Sequence, residues 1–271
     1  MQLSVTSWSF PACTLPEAWA VARALGLARM DLGLLHGAAL DRARLVSDPL
    51  AAAGEIRALG IEAPSLYWLF GAAIEDNAIS EAAALGRNLE ELTQVLRFMA
   101  ALSIPTLFIL PGVHRAGASK RDLLAASAAS LRAMLPLARA EGVQLTVEPH
   151  VGGLLASPSD TLALLDAVPG LRLTLDYAHF ACAGFPQEAV DPLAAHAAHV
   201  HMRQARPGAL QAKWGEGTLD MGAMVGTLRA AGYEGALAIE YVHQAYMNTL
   251  SDDVLTETVR MRDHLRAFGV T

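Results

Sequence analysis

The chain has 271 residues, 53% of them hydrophobic, and a formal net charge of -7. That apolar content excludes a disordered chain. The acidic balance, with scattered arginines and lysines only at 120 and 213, argues against the basic stripe of a nucleic-acid-binding protein.

Short β-rich runs alternate with longer Ala/Leu-rich segments. Residues 2–7 read as the first strand. A helix opened by Pro16 and Glu17 and closed near Gly26 follows it, since proline is well tolerated in a first helical turn. Residues 29–33 form a second strand, and Asp48-Pro49 starts a helix that stops at Gly60. Residues 61–67 are the third strand, 79–102 a long helix and 104–110 the fourth strand. In the second half, a helix over 119–141 ends at Gly142, and 143–148 is strand five. A helix from Ser157-Pro158 to Pro169-Gly170 leads to strand six at 171–176. A weak helix over 186–195 precedes strand seven at 199–202. A helix over 220–231, a strand over 236–241 and a helix over 251–268 complete the chain.

Eight strand–helix units imply parallel strands with helices outside them. A (β/α)₈ barrel takes about 250 residues as one domain, so residues 1–271 are expected to form a single α/β TIM barrel. An open doubly wound sheet would place a glycine-rich phosphate turn after strand one. Trp8-Ser-Phe-Pro11 stands there instead. The two cysteines, Cys13 and Cys182, are far apart and suggest neither a disulfide framework nor a cysteine metal site. The N-terminus lacks the basic and apolar regions of a signal peptide. No apolar run reaches membrane-spanning length. A cytoplasmic protein with no membrane partner is the expectation.

In such barrels the active site lies at the C-terminal ends of the strands. Glu148, Asp176, His201 and Glu240 end strands five, six, seven and eight, each at the tail of an otherwise apolar run. Burying four ionisable groups without a partner is costly, and a shared cation removes that cost. Three carboxylates and an imidazole suit one divalent metal ion. Oxygen ligands favour Mg²⁺ or Mn²⁺, while imidazole draws in Mn²⁺, Co²⁺ or Zn²⁺, so Mn²⁺ is favoured. A metal chelating a carbonyl and its neighbouring hydroxyl acidifies the C–H between them. One carboxylate can then take that proton and another return it.

Val147-Glu-Pro-His150, Leu175-Asp-Tyr-Ala-His179, Val200-His-Met202, Gly215-Glu-Gly-Thr-Leu-Asp220 and Ile239-Glu-Tyr241 resemble the xylose isomerase-like TIM barrel superfamily. That superfamily includes ketose 3-epimerases, inosose dehydratases, hydroxypyruvate isomerases, 3-dehydroshikimate dehydratases and endonuclease IV. The resemblance covers the whole chain and is strongest from 145 to 242. It implies that Glu148 and Glu240 bind the metal and also move protons on opposite faces of a substrate. It implies that Asp176 and His201 are the remaining ligands and that His179 contacts substrate. Arg203 and Arg206 both compete for the substrate-binding arginine that follows the ligand histidine. Many relatives carry Lys-Asp after that histidine, where this chain has Arg203-Gln204.

His150 shares a strand face with Glu148 by alternation. It reads as a substrate-selecting group, an acid–base group or a loop histidine bonded to backbone. Trp8, His36 and Tyr67, with Trp68 and His114, lie at or beyond the ends of strands one to four. They are candidates to stack on a sugar or to pack under loops. His199 lies one layer below His201 and reads as a core or supporting histidine.

The leading expectation is a metal-dependent isomerase or epimerase of a ketose or related sugar-like carbonyl, working through an enediolate. Alternatives are a lyase or dehydratase of a cyclic hydroxy-ketone, a glycoside-cleaving lyase subunit, an endonuclease IV-like phosphodiesterase and a metabolite-binding barrel. The 204–220 segment lacks the histidine that the phosphodiesterase would need. A homodimer is expected only from common oligomer symmetry.

Overall fold

Alternation of polar and apolar residues marks β1, β5 and β6 of this protein. The computed structural model describes residues 1–243, 249 and 253–271. The strands are β1 (Gln2–Thr6), β2 (Met30–Asp31), β3 (Ser65–Tyr67), β4 (Thr106–Ile109), β5 (Gln144–Val147), β6 (Arg172–Asp176), β7 (Ala197–Met202) and β8 (Ala236–Ile239). The helices are α1 (Leu15–Ala24), α2 (Arg42–Ser47), α3 (Pro49–Leu59), α4 (Leu85–Leu102), α5 (Lys120–Ala140), α6 (Pro158–Ala167), α7 (Tyr177–Cys182), α8 (Gln187–Val190), α9 (Met221–Ala230) and α10 (Val254–Ala267).

All pairings are parallel, in the order β2-β1-β8-β7-β6-β5-β4-β3. A parallel bridge between Leu32 and Leu66 joins the two ends. The Leu32 N–H donates to Ser65 O at 3.1 Å and the Tyr67 N–H to Leu32 O at 2.8 Å. The chain is a single (β/α)₈ barrel.

Barrel interiors are commonly filled by Val, Ile and Leu. This one is not. Leu3, Val5, Leu66, Leu107, Leu145, Val147, Leu173, Leu175, Val200, Leu237 and Ile239 are buried in the main core, on the strand faces packed under the helices. Alternate positions face the lumen. They are Ser4, Thr6, Asp31, Ser65, Thr106, Thr146, Thr174 and His199, all buried. Several of these groups bond to one another. Ser4 Oγ donates to Asp31 Oδ1 at 2.5 Å, and the Thr146 and Thr174 hydroxyls lie 2.8 Å apart. Hydroxyls buried as partners avoid the desolvation cost of unpaired ones. The lumen is thus a polar column leading up to the mouth.

Helix boundaries follow local chemistry. Asp48 accepts from the Ala51 N–H ahead of Pro49, and Gly60 ends α3 in the left-handed conformation at φ 68°. The expected strand over 61–67 is shortened to Ser65–Tyr67, since Pro64 has no N–H to donate. The helix expected from 79 starts with a 3₁₀ turn at Ala82–Ala84. Residues 79–81 are held outside it, with Ser130 Oγ donating to Ile79 O. The weak helix expected over 186–195 is α8 followed by a 3₁₀ turn at Asp191–His196, where Pro192 interrupts regular bonding. The last helix spans 254–267; residues 251 and 252 of the expected range lie outside the described residues. Short α7 was not anticipated. It forms because Asp176 caps it, accepting from the Ala178 N–H at 2.8 Å.

The loop after β3 is fastened to the rim. Arg42 donates to Leu69 O and Gly71 O and pairs with Glu91. Arg115 pairs with Glu81 and donates to Glu75 O. These contacts hold Ile74 at the barrel mouth, where it lines the central cavity.

Candidate metal and active site

Glu148 and Glu240 stand one residue beyond β5 and β8, and their N–H groups extend the ladders to Ile109 O and Met202 O at 3.2 and 3.1 Å. Asp176 ends β6 and His201 lies on β7. All four are buried. One potential ligand atom from each lies within 4.8 Å of all the others.

His201 Nδ1 is 2.8 Å from Glu148 Oε1 and 3.3 Å from Glu240 Oε2. The Trp8 indole N–H donates to Glu240 Oε1 at 2.7 Å. Arg203 is also buried here. Its Nη2 is 2.6 Å from Asp176 Oδ2 and 3.1 Å from Glu240 Oε2.

The crowding of charge moves every group. Burial raises Glu148 to about 7 even though His201 pulls the other way. Burial would also raise Glu240, but Arg203, His201 and the Trp8 N–H hold it down at about 2. Burial raises Asp176 against the pull of Arg203. Burial opposes the charged form of His201, yet Glu240 and Glu148 keep it well above the usual histidine value.

Beside this cluster, His179 Nδ1 accepts the Val151 N–H at 3.1 Å. Burial, then His150 and Arg203, lowers His179 well below the usual histidine value, and its Nε2 lies 3.3 Å from Arg203 Nη2. The His150 ring lies against it, with centroids 4.4 Å apart. Burial, then Arg203, lowers His150 to about 4.

A cavity of about 260 Å³ opens over these groups, and Glu148, His150, His179, Arg203, Glu240, Trp8 and Tyr67 all line it. His36 and Arg206 do not. Both are exposed: His36 sits in a turn at φ 61°, and Arg206 is held by backbone bonds with Ala209 in a turn whose edge faces solvent. Trp68 turns away from the cavity as well, donating to Glu91 at 2.8 Å beneath Arg42.

The sequence reading passed over Asp31. Its Oδ2 is 2.5 Å from His199 Nε2 and 3.9 Å from His201 Nε2, so it forms the floor of the site. An acid between Met30 and Leu32 in a buried strand was the available signal. Phe108, Leu35, Leu110 and Ile74, which also line the cavity, were missed because their residue types carry no chemistry of their own.

The donor set fits a divalent cation. Three carboxylate side chains and one imidazole nitrogen converge, and Glu240 Oε2 is buried with only ion-pair contacts to Arg203 and His201. Such a mixed oxygen and nitrogen set is one that Mn²⁺, Co²⁺ or Zn²⁺ accepts. Arg203 neutralises part of the same charge, so a bound ion would share Asp176 and Glu240 with it.

The fold and the site together define a (β/α)₈ barrel with an acidic, His-containing cluster at the C-terminal ends of its strands. Residues 19–266 match the family model described as xylose isomerase-like TIM barrel, and the chain belongs to that family. Solved structures agree on the fold. An L-ribulose 3-epimerase is 24% identical with a TM-score of 0.73, covering 99% of this chain and 93% of that one. A D-tagatose 3-epimerase-like protein is 16% identical with a TM-score of 0.76, covering 99% and 98%. The IOLI protein, solved with a bound zinc atom, is 15% identical with a TM-score of 0.72, covering 100% and 98%. A comparison with curated proteins returns no match. Among the described residues, no helix is long and apolar enough to cross a membrane.

Proposed function

We propose that this chain is a divalent-metal-dependent isomerase or epimerase of a ketose or related sugar-like carbonyl compound, with Glu148 and Glu240 as its acid–base pair. The observation that carries the reading is the placement of two buried carboxylates beside one cavity of about 260 Å³. That volume lies near the small end for ligand pockets and suits a monosaccharide better than a polymer. The likeness to an L-ribulose 3-epimerase and a D-tagatose 3-epimerase-like protein points the same way.

Glu148, Asp176, His201 and Glu240 would hold the ion, with Mn²⁺ favoured. When bound, it supplies electrostatic stabilisation of the negative charge that develops on the substrate oxygens. The remaining work belongs to side chains. One carboxylate removes the proton from the carbon beside the carbonyl, and the other delivers a proton to the enediolate. Delivery to the opposite face of the same carbon gives epimerisation; delivery to the neighbouring carbon gives isomerisation. Arg203 offers donors to substrate oxygens, and His179 and His150 stand beside it.

A lyase would use the same proton abstraction but needs an acid at the departing hydroxyl. His150 and His179 are held neutral by burial, which favours proton return over loss of water. The test is incorporation of solvent deuterium into ketoses by the Mn²⁺-loaded protein. Exchange without a new conjugated chromophore supports the epimerase or isomerase reading, and appearance of the chromophore selects the lyase. Absence of exchange across a broad ketose panel overturns the epimerase or isomerase reading.

A further inference from the structure

One side chain of the site faces two ways. His201 turns Nδ1 toward Glu148 and Glu240. Its Nε2 points into the lumen, where it is buried and makes no hydrogen bond, although Asp31 Oδ2 lies 3.9 Å away. A buried polar atom left unpaired costs about 1–3 kcal/mol. Here the cost falls beside two other potential ligands. His199 Nε2 is 2.5 Å from the same Asp31 oxygen. One donor atom from each of Asp31, His199 and His201 lies within 4.8 Å of the others, and all three residues are buried.

The three atoms are spaced for a cation. Two ligands that each stand about 2.0–2.2 Å from one ion lie up to about 4 Å apart. The 3.9 Å gap between His201 Nε2 and Asp31 Oδ2 is therefore one that an ion spans and a hydrogen bond does not. The shorter His199–Asp31 contact is a hydrogen bond whose proton an ion would displace. The two imidazole rings stand at 88° with centroids 5.3 Å apart, so their nitrogens meet Asp31 Oδ2 from different sides. Asp31 is already oriented. Ser4 Oγ donates to its Oδ1 at 2.5 Å and leaves Oδ2 to the histidines, as partners of metal ligands commonly do.

This group has its own way in. A second cavity of about 360 Å³ is lined by His199 together with Gln2, Arg29, Glu62, Ser103 and Thr106. Gln2 and Thr106 begin β1 and β4, so the cavity lies at the opposite end of the barrel from the mouth. An ion can reach His199 from there without passing Glu148 or Glu240. A water from the same side can complete a fourth coordination position.

We propose that Asp31, His199 and His201 form a second divalent-cation site inside the barrel, one layer below the mouth, and that it selects Zn²⁺ over Mn²⁺. Two imidazoles and one carboxylate favour Zn²⁺, whereas the three carboxylates and single imidazole of the mouth accept Mn²⁺. A neutral imidazole has one lone-pair nitrogen, so His201 serves both ions at once only after releasing its remaining proton. The proposal does not depend on the isomerase or epimerase reading.

The test empties the mouth and asks whether Zn²⁺ still binds. Metal-free Glu148→Gln/Glu240→Gln is titrated calorimetrically with Zn²⁺ and with Mn²⁺, and the Zn²⁺-loaded protein is measured by X-ray absorption at the zinc edge. About one Zn²⁺ per chain is expected, with two imidazoles in its coordination shell, and Mn²⁺ should bind at least about ten-fold more weakly. Adding His199→Gln, whose amide can still donate to Asp31, should abolish Zn²⁺ uptake. Circular dichroism and melting temperature establish that both variants fold. Should the double variant not fold, Glu240→Gln alone supports the same comparisons. No Zn²⁺ uptake, a shell with one imidazole, binding unchanged by His199→Gln, or equal affinity for Mn²⁺ each overturns the proposal. Presence or absence of α-proton exchange with ketoses bears on the isomerase or epimerase reading alone.

Discussion

The indole N–H of Trp8 donates to Glu240 Oε1 at 2.7 Å, linking residues 232 positions apart. The bond is made possible by the β1–β8 pairing, which sets Val5 beside Ile239 and so brings the chain that follows each strand to the same point on the rim. A residue read as a candidate to stack on a sugar or to pack under loops is placed to orient a carboxylate. Because the acceptor is charged, the bond is of the stronger kind, about 1.5–3 kcal/mol. Trp8→Phe keeps the ring but removes the donor. It should lower kcat by about ten-fold or more, with a smaller change in KM, as steady-state kinetics will show. An unchanged kcat would remove Trp8 from the account of Glu240.

Asp31 offers a second prediction. It accepts from Ser4 Oγ and meets His199 at 2.5 Å beneath His201. Groups that orient metal ligands typically contribute ten- to a hundred-fold in metal affinity. Asp31→Asn should weaken Mn²⁺ binding by about that factor in calorimetric titration. Asp31→Ala should in addition lower the melting temperature, since it leaves the buried Ser4 hydroxyl and His199 ring without their partner, at about 1–3 kcal/mol for an unpaired buried group. Wild-type affinity in Asp31→Asn would remove Asp31 from the support of that ion.

Arg203 and a divalent ion draw on the same oxygens of Asp176 and Glu240. Arg203→Gln should therefore tighten Mn²⁺ binding while destabilising the ion-free chain, which loses the partner of two buried carboxylates. Its KM should rise, because the guanidinium lines the cavity. Weaker Mn²⁺ binding in Arg203→Gln would show that the arginine supports the ion instead of competing with it.

The pH dependence has a definite sign. Burial raises Glu148 to about 7, against about 4.3 in an unfolded chain. Between those values the folded chain binds the extra proton, so stability falls as pH rises through about 7. His201, raised by Glu240 and Glu148 against its burial, acts in the same direction. Its contribution is complete below about 6.5 and is lost as pH rises through the folded value. The ion-free protein should therefore melt lower at about pH 8 than at about pH 6.5. Over the same interval Mn²⁺ affinity should rise, because ligands must shed protons to bind metal. Thermal melts and titrations at the two pH values check both slopes. A rising melting temperature with flat affinity would contradict them.

The placement of the four acidic and imidazole groups was legible because each interrupts an apolar strand at its end, and a (β/α)₈ barrel collects strand ends at one mouth. The barrel itself was legible from eight alternating units. Asp31 escaped notice because β2 is only two residues long and offers too little alternation to mark an inward position. The apolar lining of the cavity escaped for another reason. Leu35, Ile74 and Leu110 lie outside the strands, and their approach to the cavity depends on how each loop is tied down, as Arg42 and Arg115 tie the loop bearing Ile74. Arg203 was legible as a residue near the ligand histidine, but its ion pairs with Asp176 and Glu240 follow from the side-by-side register of β6, β7 and β8. The separation of Arg203 from Arg206 rested on a turn at 206–209 that alternation does not predict.

Metal content per chain, determined by elemental analysis after Mn²⁺ reconstitution, tests the central claim most directly, with wild type beside Glu240→Gln and His201→Ala. The account predicts about one divalent ion per wild-type chain, as for a single four-ligand site, and loss of that ion in both variants. A folded wild-type chain that takes up no metal, or variants that keep the ion in full, would contradict it.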